Sequence, residues 1–281
     1  MGRVRRINQD NFYVQGRYLA EPQKKRTAFS LECDGGLFAV ADGMGGETDG
    51  EKASFIAVSE LSALGGEKYP SPKDIDLAAA RANEKVCEMV RKTGSSSGTT
   101  LAAAVIKGSR LSVCNIGDSK CLLYRRGRLT RLTKDHTVTA QMIEAGLMTE
   151  EEAARDRRSH QLFQHIGMPS DEMRISLYHR DGIVMEPDDI LVICSDGMTD
   201  GLSPKEAVSV IGSVEDRTAL AAALADAAIE NGSSDNVTVI TVSRRPQKRS
   251  ALKAFLIVLA CLGIAAAGTV SALFAAGILK L

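Results

Sequence analysis

The first strong pattern along the chain is an apolar run, Leu37-Phe38-Ala39-Val40-Ala41. It ends in Asp42 and a glycine-rich turn, Gly43-Met44-Gly45-Gly46. A short apolar run bounded by turn residues predicts a buried strand. The device returns much later, where Ile190-Leu191-Val192-Ile193-Cys194 runs into Ser195-Asp196-Gly197. Elsewhere the spacing becomes helical. Ala53, Ile56, Ala57, Leu61 and Leu64 predict a helix over 48–64, stopped by Gly65-Gly66. A second helix is predicted over 71–92, started near Ser71 or Asp74 and ended at Gly94. Residues 99–106 and 111–116 alternate as a hairpin around Lys107-Gly108-Ser109. A strand at 120–124 is joined to Leu129 through Arg125-Arg126-Gly127. Further strands are expected at 12–14, 175–179 and 237–242, a loop and hairpin at 21–36, and helices at 204–211 and 215–229. Residues 135–158 read as a charged helical excursion broken at Gly146. Strands come as neighbours and helices in pairs. That favours an α+β sandwich, antiparallel sheets with helices outside, over alternating βαβ units.

The pattern changes after residue 243. Residues 244–253 form a basic linker containing Pro246, and Ala254 to Leu279 is free of charge for 26 residues. Such a helix spans about 39 Å, against a hydrocarbon core of about 30 Å, so a transmembrane helix is expected over 254–279. Gly263, Ala267, Ser271 and Ala275 recur every four residues on it, a stripe that suits close helix packing. The basic flank puts the preceding domain, residues 1–243, on the cytoplasmic side of a cell membrane. Formal net charge is zero for the whole chain, but residues 1–243 carry 29 basic against 35 acidic groups. An acidic body argues against nucleic acid as a partner. The six cysteines form no Cys-x-x-Cys pair, and most lie in apolar runs, as buried reduced thiols do.

Asp-Gly alone means little. Asp34-Gly35, Asp49-Gly50, Asp181-Gly182 and Asp200-Gly201 also occur, and such pairs are ordinary turns. Asp42 and Asp196 differ because a buried strand precedes each. Asp10, Asp118 and Asp235 likewise sit at edges of expected strands. Carboxylates that converge need a cation between them. No His or Cys cluster has zinc spacing, and hard oxygen ligands point to Mg²⁺ or Mn²⁺. Arg5 lies near Asp10 in sequence, and a guanidinium suits a phosphate dianion.

At this point the chain resembles the bacterial metal-dependent protein Ser/Thr phosphatases, the PPM or type 2C family. The resemblance covers residues 2–243. It rests on Gly2-x-x-Arg5-x-x-Asn8-Gln9-Asp10, the Asp42 turn, Gly98-Thr99-Thr100, Asn115-Ile116-Gly117-Asp118-Ser119, Leu132-Thr133-Lys134-Asp135-His136-Thr137, Ser195-Asp196-Gly197-Met198-Thr199-Asp200 and Asp235-Asn236-Val237-Thr238. It implies a four-layer αββα sandwich and two or three Mn²⁺ or Mg²⁺ ions. Asp42 would bridge two of them, with Asp10, Asp196, Asp235 and the Gly43 carbonyl completing the shell. Asp118, with Asp196, matches a third position. Arg5 would hold the phosphate of phosphorylated Ser/Thr proteins, the targets of a cognate kinase, and water activated by metal would attack it. The charged excursion around Gly146 would be the flap beside the site.

The chain departs from the pattern at points that bear on proton transfer. Met44 and Glu47 stand where many relatives carry His, Gln9 where Glu is frequent, and Lys120 where Arg is common. His136 reads either as a hydrogen-bonded loop residue or as a proton handler. Cys194 and Ser195 are not expected as nucleophiles. Other readings are a module that binds phosphorylated partners with little turnover, and a phosphatase dedicated to one stress-signalling regulator.

Overall fold

Neighbouring side chains on a strand point to opposite faces, and in a computed structural model of the chain every central strand has two apolar faces. The structure describes residues 7–21, 26–45, 49–64, 69–169 and 175–243. Arg5, Glu47, the linker and the 254–279 segment lie outside them. In chain order the elements are β1 (Asn11–Val14), β2 (Gly35–Ala41), β3 (Gly43–Met44), α1 (Gly50–Ser62), α2 (Pro72–Thr93), β4 (Gly98–Thr99), β5 (Leu101–Lys107), β6 (Arg110–Ile116), β7 (Lys120–Arg125) and β8 (Arg128–Arg131). There follow α3 (Val138–Glu144), α4 (Glu150–Ala153), β9 (Tyr178–Val184), β10 (Ile190–Cys194), α5 (Asp196–Gly201), α6 (Pro204–Ser213), α7 (Leu220–Glu230) and β11 (Val239–Ser243).

Two antiparallel sheets form, in the orders β1-β2-β5-β6-β9 and β11-β10-β7-β8, and β3 pairs β4 beside them. On β2, Leu37, Ala39 and Ala41 pack with Ala53, Ala57 and Leu61 of α1 and Ala78, Ala82 and Val86 of α2. The intervening Phe38 and Val40 face the second sheet, meeting Cys121, Leu123, Leu191 and Ile193. On β10 the same alternation sends Ile190, Val192 and Cys194 outward onto Ala207, Ile211, Leu220 and Leu224 of α6 and α7. The layers are therefore helix, sheet, sheet, helix. Alanines fill the middle of β5, with Ala103 facing the helices and Ala102 and Ala104 facing the second sheet.

Local signals account for most boundaries. Ser71 caps α2 in a capping box with Asp74, and Gly94 closes it in the left-handed conformation. The corrections have local causes as well. Strand β9 runs Tyr178–Val184, not 175–179, because Asp181-Gly182 continues the strand as a bulge facing Ser112 of β6, between the Leu111 and Val113 pairs. Gly182 adopts a positive φ of 76° inside that strand. Thr99 belongs to the separate short strand β4, so the hairpin begins at Leu101. Among the described residues no hairpin forms within 21–36. Helix α7 begins at Leu220, and the excursion after Asp135 holds two short helices, α3 and α4, on either side of Gly146. No described helix is long and apolar enough to cross a membrane.

Candidate metal centre

Four of the expected acids stand where a strand starts or ends. Asp10 precedes β1, Asp42 follows β2, Asp118 lies between β6 and β7, and Asp196 follows Ser195 after β10. Asp235 lies in the turn before β11. The Asp42 backbone is clamped from β4: its N–H donates to Thr100 Oγ1 (3.0 Å), and its carbonyl accepts from Thr99 Oγ1 (2.9 Å) and from the Thr100 N–H (2.9 Å). Thr100 Oγ1 also meets Ser119 Oγ at 2.7 Å, which ties this corner to the Asp118 turn. Gly43 heads β3 opposite Thr99. A Cβ there would collide with the Gly50 and Gln9 carbonyls, so only glycine lets the chain pass.

On the other sheet, Ser195 Oγ donates to Asp10 Oδ2 (2.8 Å) and accepts the Thr238 N–H (3.0 Å). Asn236 Oδ1 accepts the Gln9 N–H at 2.8 Å. Gln9 thus acts through its backbone, and one residue on the last turn joins the first and last segments of the site. Gly197 approaches the Asn236 carbonyl too closely for a Cβ.

The five acids share one field. Burial pushes Asp10 up to about 6, with Asp196 and Asp235 adding to the rise. Burial, then the charges of Asp10, Asp196 and Asp118, raise Asp42 well above the usual range. Asp118 is pushed up to about 7 by burial and by Asp196. Burial also acts against ionised Asp196, but His160, Asp42 and Lys120 outweigh it and hold that carboxyl below its ordinary value. Asp10 Oδ1 and Asp196 Oδ1 are buried with no hydrogen-bond partner. Such groups are costly unless something positive meets them. Oxygen-rich, acidic and partly orphaned, the cluster fits hard divalent cations.

Three further residues shape it. Lys120 is buried and donates to the Asp118 carbonyl (3.0 Å), with Asp135 3.8 Å away. His136 packs its ring at a tilt against Phe163, and its Nδ1 accepts the Gly117 N–H at 3.3 Å. Burial lowers its pKa. The hydrogen bond ties it to the turn that carries Asp118. His160 was not foreseen. It follows the charged excursion, among Arg and Ser residues that carry no periodic signal, and its Nδ1 lies 3.5 Å from Asp196 Oδ2. The hydrogen bond to Asp196 raises its pKa to about 9. Cys194 is buried in β10 and pushed up to about 12, chiefly by burial, so it is no thiolate.

Comparison with known proteins gives a consistent picture. The family model for protein phosphatase 2C matches residues 22–231. The serine/threonine protein phosphatase PstP of Mycobacterium tuberculosis is 29% identical over 246 residues, covering 85% of this chain. The chain spans only 42% of that relative's length. A serine/threonine phosphatase, stp, of Listeria welshimeri is 27% identical over 251 residues, covering 86% of this chain and 92% of its own. Among solved structures, the catalytic domain of PstP in complex with two manganese ions superposes with a TM-score of 0.66. That match has 29% identity and covers 85% of this chain and 93% of the other.

Proposed function

The chain belongs to the protein phosphatase 2C family, and we propose that it hydrolyses phosphoserine and phosphothreonine in proteins, using divalent cations held by Asp10, Asp42, Asp196, Asp235 and the Gly43 carbonyl. The observation that carries this reading is the convergence of buried carboxylates with two orphaned oxygens, Asp10 Oδ1 and Asp196 Oδ1. The manganese-bound PstP catalytic domain supports Mn²⁺ as an occupant. Bound here, a pair of Mn²⁺ or Mg²⁺ ions supplies an acidified water as the nucleophile.

The chain's own residues do the rest. Thr99 and Thr100 fix the Asp42 backbone, which anchors the side chain at the end of β2. Ser195 is committed to Asp10 and to the Thr238 N–H, which makes it a support for a ligand and not a nucleophile. Arg5 is the proposed phosphate holder, through two parallel hydrogen bonds. Release of phosphate from phosphoserine and phosphothreonine peptides, dependent on Mn²⁺ and abolished by a chelator, is the expected result. Binding of those peptides with no release would convert the reading to a phosphopeptide-binding module.

The proposal extends to location. The charge-free segment 254–279 and its basic flank support a membrane anchor with the phosphatase domain facing the cytoplasm. Full-length protein is expected in the membrane fraction, with a chain ending at Ser243 released from it. Recovery of the full chain without detergent, or cleavage of the domain by protease outside intact cells, overturns this part.

A further inference from the structure

The metal centre occupies one end of the sandwich, and the opposite end is built differently. There the strand registers set Gly35, Lys107, Arg110 and Val184 in one row across the first sheet. Ser243, Ile190, Tyr124 and Leu129 form the corresponding row of the second. Three connections beyond these rows are tied together. The Arg125 guanidinium grips the buried Asp189 carboxylate at 2.9 and 2.6 Å and donates to the Val184 carbonyl at 2.6 Å. The Met185 N–H donates to the Ser109 carbonyl at 2.8 Å. Arg126 pairs with Glu186 at 2.8 Å. These links brace the end, and they neutralise two of its acids.

The charge that remains is unequal. Lys107, Arg110 and Arg128 are exposed, and Lys107 Nζ sits 5.4 Å from the centre of the Tyr69 ring. Val184, paired with Arg110, is 57% exposed. Exposed Asp34 and Asp188 stand against the three cations. The chain leaves the described domain at this end, at Ser243, and Arg244 and Arg245 follow directly in the sequence. The other end carries Asp10, Asp42, Asp118, Asp196 and Asp235. The five residues of β10 separate the two ends, a distance of about 17 Å.

We propose that this end of the sandwich docks on anionic lipid headgroups through Lys107, Arg110, Arg128 and Val184. The proposal rests on the reading of 254–279 as a membrane anchor. Residues 244–253 span at most about 35 Å when extended. A tether of that length keeps the domain beside the bilayer and leaves its orientation to surface forces. Each Lys or Arg near an anionic surface favours contact about fivefold. The aspartate-rich end is repelled by the same field, and Val184 offers an apolar contact between the cations. Docked in this way, the metal centre opens away from the lipid, toward substrates in solution.

The test is amide hydrogen exchange of the full-length chain in two kinds of nanodisc, phosphatidylcholine alone and phosphatidylcholine with phosphatidylglycerol. Peptides spanning 106–110, 125–129 and 184–189 are expected to exchange at least about fivefold more slowly with the anionic lipid. The excursion at 136–160 is expected to exchange equally in both. In the double variant R110Q/R128Q the protection falls about fivefold for each charge removed, while phosphate release in detergent is unchanged and shows that the variant is folded. Salt at 1 M, where the screening length is about 3 Å, removes the protection. Equal exchange in the two lipids, protection of the excursion in place of this end, or protection that persists in R110Q/R128Q overturns the docking surface. A full-length chain that does not enter either nanodisc overturns the anchor reading instead, and the surface then has no bilayer to meet.

Discussion

Glu60 and the strand-end aspartates are both buried carboxylates, yet they are provided for in opposite ways. Glu60 of α1 is 5% exposed, and two cations from α2 reach it, Arg81 Nε at 2.8 Å and Lys85 Nζ. Burial alone would raise its pKa, but Lys85 and Arg81 outweigh burial and hold it below the ordinary value. At the strand ends, Asp10, Asp42 and Asp118 are all raised, by burial first and then by neighbouring carboxylates, Asp196 in every case. Positive charge reaches Asp118 from buried Lys120 and exposed His160, and it does not suffice. A carboxylate that serves the fold comes with its own counter-ions. A group of carboxylates left short of them is arranged for a cation from solution.

The largest expected effect breaks the site side of that contrast. Asp42→Asn removes one charge from a mutually repelling set. Phosphate release falls to background. The melting temperature of the chelator-treated protein rises, because Asp10, Asp118 and Asp196 repel less. A variant that loses activity and also melts lower without metal would mean that Asp42 serves the fold as Glu60 does.

Metal binding comes next. Mn²⁺ at 100 times its dissociation constant stabilises the wild type by about 2.7 kcal/mol, and Asp42→Asn loses most of that gain. The pH dependence of the metal-free protein carries the same information. Asp10 (about 6), Asp118 (about 7) and Asp200 (about 6) have folded-state values above the ordinary 3.8. The folded protein therefore holds those protons more tightly than the unfolded chain. Their contribution is fully present below about pH 4 and is lost as pH rises toward 7. Thermal melts in chelator are expected to show stability from this source falling across that window, and saturating Mn²⁺ to remove the fall. A metal-free protein that gains stability from the site over the same window contradicts the arrangement.

Ser195→Ala is smaller and more local. It leaves the Thr238 N–H and Asp10 Oδ2 without the hydroxyl that joins them. A cost of about 1–3 kcal/mol in folding stability is expected, measured by denaturant melts with chelator present. Mn²⁺ affinity falls as well, since Asp10 is no longer steered. A loss of affinity without a loss of stability would show that Ser195 acts only on the ligand.

How much of this was legible in the sequence follows from how local each signal is. The β2 and β10 runs announce themselves, since five consecutive apolar residues ending at an acid have few other uses. The layering was legible too, because alternation on β2 needs two apolar partners. Asp181-Gly182 misled because a glycine with positive φ inside a strand looks in sequence like a turn; only its pairing with β6, as a bulge, shows otherwise. Asp10, Asp42, Asp118 and Asp196 were found by their place at strand ends. The clamps on them were not, because Thr100 to Asp42 spans 58 residues and Ser195 to Asp10 spans 185. His160 had neither periodicity nor a strand to mark it. Its meaning exists only once the excursion folds back on β10.

The smallest effect sharpens the other side of the contrast. Glu60→Gln keeps the shape of the side chain and removes its charge. Arg81 and Lys85 are 45% and 60% exposed, so losing their partner strands neither cation in the interior. The glutamine oxygen still accepts a hydrogen bond from one of them. The cost therefore falls in the range of solvent-exposed pairs, about 0–1 kcal/mol. Salt shrinks it, because at 1 M the screening length is about 3 Å. The sign with pH is opposite to that of the site. The lowered value of Glu60 means that its contribution is present above the ordinary 4.5 and is lost as pH falls below it. Melting curves of wild type and Glu60→Gln should therefore differ at pH 6 and converge on acidification, with phosphatase activity equal throughout. A Glu60→Gln protein that is more stable without metal, as expected for Asp42→Asn, would place Glu60 in the same class as the strand-end acids and erase the distinction between a paired carboxylate and a waiting one.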